Sequence, residues 1–563
     1  GTASDYEGLN VRGKLVLADI NQRDEWWINY PVYQAYLKGA VGLIAVQTQG
    51  YAEIDPRALN AQDIAGPEYA PAFSLSRQDA SYLKELLCPE DPAVSHPSSV
   101  AVELNASSWV ERNRPAYNIT GYLPGTAASE GDDRMILLSA HYDSYFDGFQ
   151  DDNCAVSMTF GIIKALIDSG YQPRYTIAVC ALAAEEWGVC DSKFDWSTGA
   201  WNQVFRVHPE WQGRVIADLN FELPAHAHNT QDAIRSTYES ADFLKHFCEN
   251  ITVPKEAYPD GLTVLAPIET WSDDFSIAIS GIPSTVNDFS AGPFMETHYH
   301  SQYDNEEFYQ EAVYRFHHEL YTRLLVTLDQ LALPPLDFSR HFLAMKSSVA
   351  DCLAAQSNAP AEVLEEIPAL LESISKVCES ADLLYEKIQE INNHTVSADF
   401  PMVSGLSSKL LHIFRKMQDY FVRLDWQDAV CFPHTAASQN LCHLEQAVHA
   451  LESQNITAAL EALYEVYYHF TEYILHQPKD RLMWGAGRIL HHENLYGLVQ
   501  RLKELDQMAI PGSLDVEIRR LEAAIRRQQA YLKDDLHYMK QSVDKIQALI
   551  NDCLETSSHY NKE

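Results

Sequence analysis

The sequence predicts an α/β fold: a mixed, mostly parallel sheet sandwiched by helices, with a β-rich module before it and an all-helical region after it. Three observations carry this expectation. Residues 136–144 (ILLSAHYDS) and 179–188 (VCALAAEEWG) are apolar runs that end in polar residues, as expected of central strands buried on both faces of a parallel sheet. Strands alternate with helices through the middle of the chain, the pattern of a layered α/β domain. Beyond Leu333, Pro334 and Pro335 the pattern becomes helical throughout. A chain of 563 residues is too long for one core, and the pattern divides it into residues 1–103, 104–335 and 336–563.

Taken in order, residues 11–20 (VRGKLVLADI) read as a strand after a Gly turn. Residues 31–47 read as a helix, a Gly-containing break and a second strand. Residues 70–76 give a third strand and 77–87 a helix. The Pro- and Ser-rich stretch 88–99 marks a boundary. A strand at 116–125 closes on Pro124-Gly125, and 136–144 follows. The acidic turn QDDNCAVS at 150–157 leads into a helix over 153–168. Val156, Phe160, Ile163 and Ile167 would form its apolar face, with Gly170 as its stop. Further strands are expected at 174–182, 214–222 and 262–267. In the last region, breaks fall near Pro401, Pro433, Pro478 and Pro511. Ile518, Leu521, Ile525, Leu532, Leu536, Met539, Val543, Ile546 and Ile550 form one long amphipathic stripe that must pack on partner helices, within a bundle or across a dimer.

An apolar fraction of 46% with 11% aromatics describes a folded globular protein. The formal charge of −38 argues against nucleic acid or an anionic membrane as partner. It suits a solvated surface, or the attraction of cations such as free amino termini. No apolar run approaches a membrane span, and the first residues show no signal-peptide pattern. The chain does not begin with Met, so trimming of its N-terminus is expected. Ten cysteines without a CxxC pair argue against a cysteine zinc site and point to a reducing, cytoplasmic compartment, with secretion as the alternative if the N-terminus is trimmed.

The chemistry gathers where the central strands end, because open α/β sheets bind ligands outside their carboxyl ends. His141, Asp143, Asp151, Asp152, Glu185 and Glu186 emerge there, the donor types of a metal-dependent hydrolase. Such a site needs imidazole and carboxylate ligands, a carboxylate shared between metals, and a separate carboxylate to take a proton from water. His141 reads as a ligand and Asp143 as the group orienting its imidazole. Asp152, at the start of the next helix, reads as the bridge. Glu185 and Glu186 divide into base and ligand.

These motifs, in this order, resemble the co-catalytic dizinc exopeptidases: leucyl aminopeptidases, glutamate carboxypeptidases and the transferrin receptor. Their pattern is H-x-D, D-x-x-S/G-G, E-E, N-x-D or its Glu equivalent, and a late His in Y-H-S. Here His141-Tyr142-Asp143 and Glu185-Glu186 fit. Asp152 fits the second element without its small pair, leaving Asp151 as the alternative. Asn220-Phe221-Glu222 fits the fourth, with Asp218 in reserve, and Tyr299-His300-Ser301 the last, with His298 as competitor. Residues 1–103 resemble a protease-associated (PA) domain, and 336–563 the helical domain through which relatives dimerise.

The resemblance implies two zinc ions. His141 and Glu222 would hold one, Glu186 and His300 the other, and Asp152 both. Glu185 would act as base and Tyr299 as a donor to the developing oxyanion. It implies a peptide substrate and a homodimer. The segment 271–301 contains no Arg or Lys but carries Asp273, Asp274, Asp288 and Glu296. An acidic rim favours an aminopeptidase over a carboxypeptidase or dipeptidase. The alternative of another class is a catalytically silent, receptor-like protein.

Overall fold

In the computed structural model, residues 3–6, 8–23, 28–59, 70–87, 100–107, 111, 114–189, 196–356, 359–393, 400–466, 483–507 and 513–557 are described. Residues 3–87 contain β1 (Leu15–Asn21), β2 (Gly42–Gln49) and β3 (Ala72–Leu75), a parallel three-stranded sheet in that order. Helices Asn29–Leu37 and Arg77–Leu87 accompany it. Its core is Tyr6, Ile20, Ile28, Val32, Ala35, Leu43 and Ala45. The expected strands and helix are present, with the first strand beginning at Leu15 rather than Val11. The expected linker at 88–99 lies outside the described residues.

The central sheet has seven strands: β4 (Ile119–Leu123), β5 (Met135–His141), β6 (Thr176–Leu182), β7 (Val215–Asn220), β8 (Asp232–Ser236), β9 (Leu262–Leu265) and β10 (Ser284–Asn287). Their order is β4-β6-β5-β7-β10-β8-β9. β6, β5, β7 and β10 are parallel neighbours, β4 and β8 pair antiparallel at β6 and β10, and β9 runs parallel to β8. The sheet is therefore mixed and mostly parallel. β5 is buried along its whole length, which is why its sequence is a continuous apolar run. Register decides the rest. His141 pairs with Leu182, and Ser139 with Asn220, so β5, β6 and β7 end at one edge and release their following residues together. β8 and β10 were not expected from the sequence: they are four or five residues long with mixed polar content.

The helix after the acidic turn spans Cys154–Ser169, ended by Gly170 in the left-handed region at φ 76°. Its buried face differs from the expected one. Ala155, Met158, Ile162 and Leu166 face the core, while Phe160 and Ile167 are more than half exposed. The segment is apolar around most of its circumference, so periodicity did not single out a stripe.

Beyond Leu333 come helices Phe338–Ala355, Ile367–Asn393, Phe400–Phe421, Thr435–Glu452, Ile456–Tyr464, Tyr496–Asp506 and Asp515–Ser557. As expected, the helical pattern is interrupted near Pro401, where one helix ends at Asn393 and the next begins at Phe400, and near Pro433, between Phe421 and Thr435. Pro478 and Pro511 lie outside the described residues. In Asp515–Ser557, the buried residues Leu532, Leu536, Met539, Val543, Ile546 and Ile550 join one core with Ile367–Asn393 and Phe400–Phe421. Ile518 and Ile525 are partly buried. The long stripe is thus taken up within the chain. Among the described residues no helix is long and apolar enough to cross a membrane. Leu536→Ala should lower unfolding free energy by about 2–5 kcal/mol, measured by urea denaturation.

Candidate metal centre

His141 closes β5 and is buried. Its Nδ1 lies 2.9 Å from the main-chain oxygen of Asp143 and 3.8 Å from that residue's Oδ1. Nε2 faces three carboxylates: Asp151 Oδ1 at 3.3 Å, Glu222 Oε2 at 3.5 Å and Asp152 Oδ2 at 3.9 Å. The two aspartates come from the wide turn Phe149–Asn153. Gly148 enters it at φ +51°, where a Cβ would fall 2.5 Å from Asp151 O, so a side chain there is excluded. The Asp304 carboxylate accepts the N–H groups of Gln150 (2.9 Å) and Asp151 (3.1 Å) and fixes the turn.

After β6 the chain turns at Ala184 (φ 57°). The N–H groups of Glu185 and Glu186 donate to the two oxygens of Asp143, at 3.1 and 3.2 Å. Ser197 Oγ donates to Glu185 Oε1 at 2.7 Å, whereas Glu186 Oε2 lies 3.3 Å from His300 Nε2. After β7, Glu222 donates its N–H to Asn287 Oδ1 (2.9 Å) and accepts a short hydrogen bond from Ser272 Oγ at Oε1. His300, at φ +56°, sets Nε2 3.1 Å from Asp151 Oδ2. Ala184, Leu223 (φ 42°) and His300 are all left-handed non-glycine residues at or beside the cluster. Each such conformation costs roughly 1–3 kcal/mol and persists only where its surroundings impose it.

His141, Asp152, Glu185, Glu186, Glu222 and His300 are therefore brought together and buried. Two placements differ from the expected ones. Asp151, not Asp152, stands between the histidines, one oxygen towards each. Asp152 is drawn away because its Oδ1 accepts the Leu223 N–H at 3.0 Å, which leaves it on the side of His141 and Glu222. Asp143 meets the imidazole through its main-chain oxygen; its carboxylate clamps the two glutamates instead. Tyr299 stacks on His300, ring centroids 3.8 Å apart. The alternates stand apart: His298 pairs with Glu307 at 3.2 Å, and Asp218 accepts hydrogen bonds from Ser139 and Ser284. The expected acidic rim also changes. Asp273 and Asp274 are fully buried, and Glu296 is paired with Arg23 at 2.7 Å.

Ligand-type atoms of His141, Asp152 and Glu222, and of His141, Asp151 and Glu186, lie within 4.8 Å of one another in each group. Burial lowers the imidazole of His141, but Glu222, Asp152 and Asp151 together carry it well above its ordinary value. His300 is likewise opposed by burial and raised by Glu186 and Asp151 to about 9. Burial raises Glu186 to about 7 and Glu185 well above the usual range. Among the described residues no Lys or Arg pairs with these acids. Asp152 Oδ2 and Glu186 Oε1 are buried and have no hydrogen-bond partner among the described residues. Crowded, buried carboxylates that have only histidine as counter-charge, and that keep unfilled acceptor oxygens, fit divalent cations bound by nitrogen and oxygen.

Residues 118–324 match the family model of Peptidase family M28. No curated protein matches. Among solved structures, similarity is found to a zinc aminopeptidase from Bacillus subtilis (TM-score 0.42, 15% identity, 58% of this chain and 72% of that one). A Peptidase M28 precursor from Shewanella amazonensis is also similar (TM-score 0.44, 18% identity, the same coverage). The match spans β4 to β10, and so every residue of the cluster.

Ser197, Ser272, Asn287 and Asp304 hold the cluster in place and were not singled out from the sequence. Ser272, Asn287 and Asp304 reach partners 50 or more positions away, and no local spacing announces such a contact. Asp218 offers a test of the buried shell. Burial raises its carboxyl to about 7, so the folded state holds a proton that the unfolded chain releases near pH 4. Stability should fall as pH rises between about 4 and 7 and level off above. Asp218→Asn should flatten that slope in melting temperature measured against pH.

Proposed function

We propose that the chain is a zinc-dependent exopeptidase with two zinc ions. The single observation that carries this reading is Asp151, whose two oxygens face the two buried histidines. His141, Glu222 and Asp152 would hold one ion, His300 and Glu186 the other, and Asp151 both. Bound there, the ions would supply Lewis acidity that acidifies water and polarises a carbonyl. Glu185 would serve as the general base, a reading supported by its burial next to these ligands and by the hydrogen bond that Ser197 Oγ donates to its Oε1. It would take a proton from the attacking water and return it to the leaving amine. Burial, with Asp151 and Glu186 close by, keeps the Tyr299 phenol well above its ordinary value, so it remains a donor for a developing oxyanion.

The substrate end is proposed to be a free amino terminus. Asp288, which follows the Asn287 that accepts the Glu222 N–H, stays partly exposed, and the chain is strongly acidic. A carboxypeptidase or dipeptidase is the second reading, favoured by Arg23, which the N-terminal module brings to Glu296 and lays over Tyr51 beside Tyr299. Every ligand position and the base carry competent residues, which weighs against a silent receptor.

Glu185→Gln should lower kcat by about 10²–10⁴-fold while metal content, read by elemental analysis, is unchanged; full activity in this variant would remove Glu185 as the base. Chelation should abolish release from unblocked aminoacyl peptides, with two zinc per chain restoring it. Cleavage of N-blocked peptides instead would select the carboxypeptidase reading.

A further inference from the structure

β8 runs antiparallel to β10, so its carboxyl end lies at the sheet edge opposite the metal centre. Thr237, Tyr238 and Glu239 follow it. With helix Phe338–Ala355, the end of Phe400–Phe421 and the hairpin Arg423–Leu424/Val430–Cys431, they line a cavity of about 300 Å³, within the range of small-ligand sites. Its floor is polar and buried. Glu239 and His341 are 0% and 2% exposed. Glu239 Oε1 lies 3.0 Å from His341 Nδ1, while Glu239 Oε2, Thr237 Oγ1 and Thr435 Oγ1 have no hydrogen-bond partner among the described residues.

The walls are aromatic. Tyr238 and Phe432 are nearly parallel, centroids 6.2 Å apart, and Phe421 completes the enclosure around His341. Asp351 is exposed at the cavity, and among the described residues no Lys or Arg lines it. Acceptors at the floor, acids at floor and mouth, and aromatic faces between them are complementary to an organic cation. A buried carboxylate oxygen and two hydroxyls offer acceptors to the N–H groups of a primary ammonium, while Ile268, Phe421 and Val422 would receive an apolar body.

We infer that this cavity is a binding site for a small primary amine with an apolar body, separate from the metal centre. The site stands on its own geometry and does not depend on the exopeptidase reading.

The test is calorimetric titration of the full, metal-loaded chain with 3-methylbutylamine and with the uncharged isostere 3-methylbutan-1-ol. One amine should bind per chain outside the metal centre, and the alcohol about tenfold or more weakly, as loss of a charged hydrogen bond predicts. Binding should persist in His300→Ala, which disturbs only the metal centre. It should weaken by about tenfold or more in Glu239→Gln and be lost in Ala344→Leu, which fills the cavity from an apolar wall position. Circular dichroism checks whether Ala344→Leu is folded, so that the result does not rest on Glu239→Gln alone. Absence of amine binding, equal binding of the alcohol, or loss in His300→Ala with retention in folded Ala344→Leu would each overturn the assignment.

Discussion

The constraint on which the centre of this molecule depends is buried negative charge. Asp151, Asp152, Glu185, Glu186 and Glu222 are all nearly inaccessible, and Asp273 and Asp274 lie behind them. An ionised carboxylate removed from water costs several kcal/mol unless it is paired. The chain's own compensation is partial: two imidazoles, a few hydroxyls, and main-chain N–H groups aimed at Asp143, Asp152 and Asp304. That compensation explains the local backbone. The left-handed residues at 184, 223 and 300 and the side-chain-free turn at Gly148 are what it takes to converge so many acceptors on one point. A fold optimised for stability alone would not retain them.

Much of this was legible in the sequence because the information is local. A buried parallel strand must be apolar along its length, and the first polar residues after it are those the sheet edge exposes. His141, Glu185, Glu186 and Glu222 could be found that way. Gly170 announced its helix end through the one conformation that glycine tolerates best. What stayed illegible depends on distant partners. Asp151 and Asp152 are adjacent and chemically identical, and only the Leu223 N–H, 71 positions away, decides which of them stands between the histidines. The helix Cys154–Ser169 is apolar on too many sides for its period to show which face meets the sheet. β8 and β10 are short and polar enough to pass for loops.

The N-terminal module bears on the same centre through the segment that carries His300. Main-chain N–H groups of Glu53 and Ile54 donate to the oxygens of Glu296 and Thr297. Gln302 exchanges hydrogen bonds with Leu59 and Arg57, and Tyr51 packs edge-on to Tyr299 at 5.3 Å. Tyr299 in turn stacks on His300. A chain of contacts therefore leads from the first sheet to a proposed metal ligand, and packed rings transmit displacement because interiors have little free volume.

That chain of contacts also changes the argument about substrate. Taken alone, the segment 271–301 has acids and no cations, which favours an ammonium. In the folded chain two of those acids are buried behind the metal centre and a third is neutralised by Arg23 from another module. The charge a substrate meets is set by the seam between modules rather than by the segment's composition. Arg23 spends its charge on Glu296 while that pair stands. A carboxylate reaching Arg23 would have to compete with Glu296 for it, whereas a free ammonium would not.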